Sequence, residues 1–172
     1  MLKREGSRAL VLSKYGLNYR EYNRTYDDVT WETCTLRAWL NDTFLNDAFT
    51  ADEQARIVTA DVSTAGFDPG NESGYSEGGN DTHDEVFLLS REEVLELVPE
   101  SEWALPISEY ALIYSEGTGN YGERVWWLRS PGRWQENACV VNGDRGAAYI
   151  YMEENVNRLR YVRPAMWIEL DP

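Results

Sequence analysis

The sequence of 172 residues predicts a single α+β domain over residues 1–172, with helices in the first two thirds and an antiparallel sheet at the end. Thr50 with Glu53, and Ser90 with Glu93, form the capping-box pattern in which the two side chains satisfy free backbone N–H groups at a helix start. After residue 124, apolar runs alternate with turn signals. We therefore expect three short helices packed on one side of a twisted, C-terminal antiparallel sheet.

The first elements follow from apolar patterning. Residues 7–13 predict a short buried strand, and the polar, tyrosine-rich residues 15–30 predict an irregular ordered loop. A helix follows, which Thr33 or Thr35 can cap. Its apolar residues have the i, i+3, i+4, i+8 spacing of an amphipathic helix and are Leu36, Trp39, Leu40 and Phe44.

Two further helices follow the capping boxes. The box at Thr50 opens a short helix that carries Ala55 and Ile57. Residues 85–89 predict a buried strand, which leads into the helix that begins after Ser90 and ends at Pro99. The apolar residues of that helix are Val94, Leu95, Leu97 and Val98.

The remaining sequence combines glycine-rich loops with strands. Residues 65–84 and 117–122 predict loops, and Ser108 is expected to cap a helical turn that extends to Tyr114. Asn142 and Gly143 form a strong hairpin-turn signal. The predicted strands are residues 124–129, 137–141, 146–152, 159–162 and 165–170.

The composition restricts the function classes. The formal charge of −14 and the pI near 4.4 repel phosphate backbones and anionic lipids, so nucleic acids and membrane surfaces are disfavoured partners. Neither a signal peptide nor an apolar stretch of about 20 residues is evident. The sequence as given predicts a soluble cytoplasmic protein without membrane insertion, or a cell-surface location if it is part of a larger protein.

The reactive side chains do not form a catalytic motif. Cys34 and Cys139 lie in apolar surroundings and are expected to be separate buried thiols. His83, the single histidine, lies beside Asp84 and could act as a general base. However, no serine or cysteine has the context of its nucleophile, so we expect a surface or capping role for it.

Four blocks of sequence resemble a bacterial domain family of unknown function, domain of unknown function 6273. The first two are residues 31–41, with Phe44 and Glu53 following, and residues 82–90. The closing blocks are the Trp-Trp-Leu-Arg-Ser-Pro-Gly sequence of residues 126–132 and the Val-Arg-Pro-Ala sequence of residues 162–165. The resemblance extends over nearly the whole chain.

The family pattern is similar to the C-type-lectin-like fold, which formylglycine-generating enzymes share. The resemblance implies helices beside a twisted antiparallel sheet, with long ligand-binding loops on one face. Formylglycine-generating enzymes bind copper through a pair of cysteines, but Cys34 and Cys139 match neither the spacing nor the context. Members usually have a further strand before the equivalent of residues 7–13, where only residues 1–6 precede here. The absence of that strand, in a naturally short or trimmed domain, would leave a sheet edge open.

The expected function is therefore non-catalytic ligand binding or scaffolding, with a protein, peptide or glycan as the partner. The alternatives are an enzyme of unknown reaction on the same fold and a structural module of a larger surface protein. The first candidates for ligand contact lie in the late loops, because binding surfaces favour rings and amides. They are Trp134, Tyr149, Tyr151, Asn155, Asn157 and Tyr161.

Other residues are expected to be structural. Arg37, Arg129 and Arg163 lie within apolar or aromatic blocks, and a buried guanidinium needs a carboxylate or several carbonyl groups. The expected carboxylate partners are Glu32, Asp42 and Glu53. The structural signature comprises Trp39, Trp126, Trp127, Arg129, Arg163 and Trp167.

The acidic loop could bind calcium through its oxygen atoms. Its polar residues do not fit the EF-hand template, so a solvated loop is the favoured interpretation, and we expect no metal or cofactor. These residues are Asp68, Asn71, Glu72, Glu77, Asn80, Asp81 and Asp84.

Overall fold

The computed structural model of the chain describes residues 1–70, 74–116, 124–143 and 148–170. Both ends of the chain contribute strands to the two main sheets. In chain order, the strands are β1 (Lys3–Glu5), β2 (Arg8–Leu12), β3 (Asn18–Glu21), β4 (Ile57–Val58), β5 (Ala60–Val62), β6 (Thr82–Asp84), β7 (Val125–Pro131), β8 (Asn137–Asn142), β9 (Tyr149–Asn155), β10 (Leu159–Val162) and β11 (Ala165–Glu169).

The larger main sheet has the order β3-β10-β7-β8-β9. Its neighbours pair antiparallel, except that β10 runs parallel to β7 with Tyr161 opposite Trp126. The expectation of a purely antiparallel sheet confined to the C-terminal third is therefore wrong. The early strand β3 joins this sheet because Tyr19 is buried and its ring packs 4.8 Å from that of Tyr161, so residues 15–30 are not all loop.

The second main sheet has the order β1-β2-β11-β4. Strand β1 pairs antiparallel with β2, so the edge of β2 that the absence of a preceding strand would leave open is covered. A further, two-stranded sheet joins β5 to β6, and its last pair, Val62 opposite Thr82, closes the base of the long loop between them.

The helices are short, and the α+β class is confirmed. They are α1 (Thr35–Trp39), continued by a π-helical turn (Leu40–Phe44) and α2 (Leu45–Ala48), α3 (Ala51–Gln54), α4 (Arg91–Leu97), a 3-10 turn (Glu100–Glu102) and α5 (Glu109–Glu116). Both predicted capping boxes are present. Ser108 accepts a hydrogen bond from the backbone N–H of Ala111, as a cap does. Helix α4 packs against β7 and α5 against β3.

Two local expectations about these helices are wrong. Cys34, and neither Thr33 nor Thr35, caps α1, because its Sγ accepts from the backbone N–H of Arg37. Helix α3 ends at Gln54, and Ile57 belongs to β4, where it lies opposite Ile168 of β11.

Residues 85–89 are largely buried, but they do not form the predicted strand. The side chain of Asn41 accepts from the backbone N–H groups of Glu85 and Val86 and donates to the carbonyl of Val86. The backbone of Arg129 donates to the carbonyl of Leu89. The backbone of residues 85–89 is thus hydrogen-bonded by side chains and by isolated backbone contacts, and not by a neighbouring strand.

The late hairpin is confirmed as an antiparallel pair, but its two-residue turn is not. Asn142 lies opposite Tyr149, so residues 143–148 connect β8 to β9. Part of that connection, residues 144–147, lies outside the described residues, as does the predicted loop at 117–122.

The core is centred on β7, in which every residue is buried. Trp126 donates through Nε1 to the carbonyl of Trp103, and Trp127 donates to that of Arg20. The ring of Tyr22 packs against Trp31 and Trp127 at centroid distances of 6.2 and 5.6 Å. The indole N–H groups are therefore satisfied inside an aromatic cluster, as buried tryptophans require.

Candidate functional site

The long loop between β5 and β6 forms one wall of an open groove. Residues 28–33 form the opposite wall, and the groove has a volume of about 1110 Å3. Four carboxylates line it, those of Asp28, Glu32, Asp68 and Glu77. No arginine, lysine or histidine lines it among the residues that the structure describes, so its field favours cations.

The remaining lining offers ring and neutral polar contacts. Tyr75 is 59% exposed, whereas Phe67 is half-buried. The hydroxyl and amide groups are those of Thr30, Thr33, Asn80 and Gln135. A few convergent polar groups beside aromatic surface are typical of ligand sites.

The loop is held in place by its own hydrogen bonds. Phe67 and Ser76 exchange both backbone hydrogen bonds, at 2.9 and 3.0 Å. The buried hydroxyl of Ser76 donates to the carbonyl of Gly132 at 2.6 Å, just after β7. The loop is therefore closed on itself and attached to the central strand.

Two glycines allow the loop backbone to lie directly on its neighbours. A Cβ atom at Gly78 would lie 1.8 Å from the carbonyl oxygen of Thr64. Gly74 has φ +122°, and its Cβ would lie 2.1 Å from Cγ of Arg133. Any side chain at either position would lift the loop, because real Cβ atoms do not approach so closely.

Gln135 connects both walls of the groove. Its Nε2 donates to the carbonyls of Val29 and Glu77 at 2.9 and 3.2 Å, and its Oε1 accepts from the backbone N–H of Glu77 at 2.7 Å. One amide side chain therefore fixes the groove's width through three hydrogen bonds.

Glu32 and Asn80 close the same groove at another point. The carboxylate of Glu32 accepts from the backbone N–H of Asn80 at 3.1 Å and from its side-chain amide at 3.1 and 3.2 Å. These donors, the side-chain amide first, lower the pKa of Glu32. Its charge is therefore held at the groove across the neutral range.

The wall that contains Glu32 rests on the buried carboxylate of Asp84. Its Oδ1 pairs with Nε of Arg37 at 2.6 Å, and its Oδ2 accepts from Trp31 Nε1 at 2.9 Å and from the hydroxyl of Thr82 at 2.7 Å. Arg37 also donates to the carbonyl of Glu32 at 3.1 Å. This cluster joins the 28–33 wall to β6, so it positions the groove without lining it.

The predicted carboxylate partners of the arginines are wrong. Arg37 pairs with Asp84, and Arg129 forms a two-point ion pair with Glu93, in which Nη2 lies 3.0 Å from Oε1. Arg129 also donates to the carbonyls of Ser63 and Leu88, which attaches the start of the long loop to β7. Arg163 has carbonyl partners and, among the described residues, no carboxylate partner.

The other predicted structural tryptophans lie nearer the surface. Trp39 is half-buried, packs against Phe44, and carries the guanidinium of Arg20 at 4.4 Å from its ring centroid. Trp167 is half-buried in β11. Trp126, Trp127, Arg129 and Arg163 are buried.

Part of the predicted ligand surface is exposed. Trp134, Tyr149 and Tyr151 are 46%, 52% and 39% exposed. Tyr149 and Tyr151 are two residues apart on β9, so they face the same side of the sheet edge. Arg133 binds the carbonyl of Met152 through its backbone, which places Trp134 beside β9.

The prediction that Tyr161 belongs to that surface is wrong, because the residue is 1% exposed and its hydroxyl forms a hydrogen bond with that of Ser115. Asn155 is half-buried and accepts from the side chain of Asn137, which limits its freedom to bind a ligand. Asn157 is exposed in the turn after β9.

The groups with catalytic potential do not converge. His83 is exposed and contacts the exposed carboxylate of Asp61 at 2.6 Å. Cys34 and Cys139 are free and buried, as predicted, and burial raises the pKa of each thiol to about 12. Thiols with such pKa values remain protonated at neutral pH and are poor nucleophiles.

Metal ligands are also dispersed. Within the described residues, no group of three His, Cys, Asp or Glu side chains could hold a metal ion. The members Asn71 and Glu72 of the acidic loop lie outside those residues. That folding needs no metal stays a prediction.

Sequence reasoning missed the residues that build the groove, above all Gln135 and Ser76. Their roles depend on partners more than 50 positions away in the sequence, at Val29, Glu77 and Gly132. The density of glycine in the loop was the available signal, since close approach of two backbone segments requires it.

Comparison with known proteins places the chain in a family. A family model, described as domain of unknown function (DUF6273), matches residues 6–170, so the protein belongs to that family. Neither a curated protein nor a solved structure matches the chain. Across the described residues, none of the helices is long and apolar enough to cross a membrane.

Proposed function

We propose that this DUF6273 domain is a non-catalytic ligand-binding module with a C-type-lectin-like arrangement, and that the groove between residues 28–33 and the long loop is its ligand-binding site. The supporting observation is the three-point attachment of the loop by Gln135, Ser76 and Glu32. A site that is already fixed loses little entropy when its ligand binds.

The lining favours a peptide segment or protein surface that carries lysine or arginine, and a glycan as the other candidate. Four carboxylates attract cations, and Tyr75 presents an exposed ring on which a cationic or apolar side chain can rest. Hydroxyl and amide groups suit the hydroxyls of a glycan equally well. Phosphorylated ligands, including nucleic acids, are disfavoured by the same carboxylates.

The exposed rings of Trp134, Tyr149 and Tyr151 form a second part of the proposed ligand face. The turn of residues 133–136 joins both parts, since Gln135 faces the groove and Arg133 pairs with Glu153 of β9 at 2.8 Å. A large partner could therefore cover both surfaces.

The test begins with a glycan array and an array of lysine- and arginine-rich peptides, probed with the wild-type domain. Each hit is then measured with Tyr75→Ala and with the double variant Asp68→Asn and Glu77→Gln. The matched control for the ring is Tyr15→Ala, since Tyr15 is exposed and does not line the groove. We expect at least about a tenfold loss of affinity in the groove variants and none in the control.

The double variant Tyr149→Ala and Tyr151→Ala separates the two surfaces. If it alone weakens every hit, the edge of β9 is the site and the groove proposal is wrong. If no ligand binds on either array, the structural-module alternative is favoured instead.

A further inference from the structure

A second cleft lies apart from the groove and shares no lining residue with it. It has a volume of about 570 Å3, which is within the range of small-molecule sites. Its walls present polar and apolar surface in similar amounts, and the apolar part includes Leu2, Leu12, Leu97, Pro99, Ala104 and Pro106.

The guanidinium of Arg163 lies at this cleft and is unusual in its partners. The residue is 3% exposed, and its group lies 4.9 Å from the ring centroid of Trp126. Nε donates to the carbonyl of Ser13 at 2.8 Å and Nη1 to that of Glu102 at 3.0 Å. Among the described residues, no carboxylate lies within ion-pair distance of it, in contrast to Arg129 and Glu93.

One terminal nitrogen of Arg163 remains available. Nη2 has no hydrogen-bond partner among the described residues. It is also not one of the fully buried polar atoms that lack a partner there, which are Thr64 Oγ1 and Arg133 Nε. Nη2 is therefore accessible, and the cleft is the opening that Arg163 lines. A buried guanidinium without a carboxylate in direct contact is costly, so an anion that reached it would gain a strong interaction.

Other charges at the cleft are few. Lys14 and Glu102 are both exposed and line the cleft, and Glu102 provides the carboxylate of its lining. Glu102 contacts Arg163 through its backbone carbonyl, and its carboxylate makes no ion pair with the guanidinium. Burial lowers the pKa of Arg163, although the negative charge of Glu102 acts to raise it. Two cations against one carboxylate favour an anionic group here, although the protein as a whole is acidic.

We propose that this cleft binds a small apolar monocarboxylate, whose carboxylate pairs with the free N–H groups of Arg163 while its hydrocarbon tail lies against Leu12, Leu97 and Pro106. The guanidinium supplies the planar, charged donor that carboxylates prefer. The apolar part of the lining accounts for the tail, since buried hydrocarbon contributes in proportion to its area.

The test uses octanoate, 1-octanol and acetate as probes of the full chain, followed by isothermal titration calorimetry and by NMR of the tryptophan indoles. Octanoate is expected to bind once per chain, and each of the other probes at least about tenfold more weakly, because it lacks either the charge or the tail. Equal binding of octanoate and 1-octanol, or no binding of octanoate, would overturn the proposal.

Variants locate the binding. Arg163→Gln should weaken octanoate binding by about tenfold or more, whereas Arg163→Lys should retain part of it. Since Arg163 also holds Ser13 and Glu102, a second variant keeps the test decisive if these proteins fail to fold. Ala104→Trp fills the cleft from an exposed position and should abolish binding, whereas Ala55→Trp, at an exposed alanine away from the cleft, should not. Unchanged affinity in Ala104→Trp would place octanoate elsewhere and exclude this cleft.

Discussion

Strand β7 and the long loop between β5 and β6 are fixed in different ways. Strand β7 is buried at every residue and lies at the centre of the apolar core, with its tryptophan N–H groups satisfied by single carbonyls. The loop is attached by hydrogen bonds from Ser76 and Gln135 and by glycine contacts, and most of its described residues are exposed. Because the core is close-packed, removal of a buried ring from β7 destabilises the fold. The position of the loop depends instead on a few hydrogen bonds with specific geometry.

This contrast predicts separate responses to mutation. Changes in β7 should lower the stability of the whole domain. Changes in the loop should alter the groove while most of the core remains folded, because weakly packed segments open independently of the core.

The largest effect is expected for Trp127→Ala, which should reduce the free energy of unfolding by about 3–5 kcal/mol. Trp127 is fully buried, packs on Tyr22 and donates to the carbonyl of Arg20. Urea denaturation measures the change. The control Trp134→Ala removes an exposed indole and should change stability by less than about 1 kcal/mol. Equal losses in the two variants would contradict the assignment of β7 as the core.

A smaller effect is expected for Gly78→Ala, at about 1–3 kcal/mol. The added methyl group would meet the carbonyl of Thr64, so the segment around residue 78 must move away from the start of the loop. Limited proteolysis should then cleave within residues 64–80 much faster than in the wild type.

Gly70→Ala is the control for that variant. Gly70 has φ +72° but nothing within 4 Å of its Cβ position, so alanine there costs only backbone strain, about 1–2 kcal/mol. Its loop should remain seated, and cleavage as fast as in Gly78→Ala would show that contact with Thr64 is not what holds the loop.

Ser76→Ala should cost about 1–2 kcal/mol, since it leaves the carbonyl of Gly132 without its side-chain donor. Its hydroxyl bond of 2.6 Å is buried, so water cannot readily replace it. Hydrogen exchange at the backbone N–H of Phe67 and Ser76 should accelerate more than at β7. Ser101→Ala, at an exposed serine of the 3-10 turn, serves as the control, and similar acceleration there would sink the idea.

The same contrast explains what the sequence could predict. Both capping boxes are local signals within four residues, and both are present. The run at Trp126 and Trp127 was predictable as a buried strand, because apolar patterning alone indicates burial. The pairing of β3 with β10 was not, since it joins Tyr19 to Tyr161 across most of the chain.

The groove lay beyond sequence patterning for a related reason. Asp84 was predicted as a loop residue, yet it is buried and pairs with Arg37, 47 positions away. Aspartate and glutamine are also common on solvated surfaces. The local sequence around Asp84 or Gln135 therefore does not distinguish these residues from exposed ones. The prediction for Tyr161 was wrong in the opposite sense: it was expected at the ligand surface, but it is buried in the core although polar residues surround it in the sequence.

The pH dependence of the loop follows from the lowered pKa of Glu32. A carboxylate whose pKa is lower in the folded protein than in the unfolded chain stabilises the fold above the unfolded pKa, about 4.3 for Glu. That contribution is lost as the pH falls through the folded value. Glu32→Gln should therefore lower the urea midpoint slightly at pH 7, and the difference should shrink in acid. If Glu100→Gln, at an exposed glutamate of the 3-10 turn, shows the same pH dependence, Asn80 is not the cause.

The smallest expected effect is that of chelation, which should leave the melting temperature unchanged. Calcium in proteins takes six to eight oxygen ligands, and the carboxylate oxygens at the groove are partly committed elsewhere. Glu32 accepts three hydrogen bonds from Asn80, and Asp68 accepts one from the backbone of Gly70. Ser76, Gln135 and the glycine contacts hold the loop without an ion. Thermal melts with EDTA, with added calcium and with neither should coincide. A drop of many degrees on chelation that calcium restores would show that an ion, in addition to these contacts, fixes the groove.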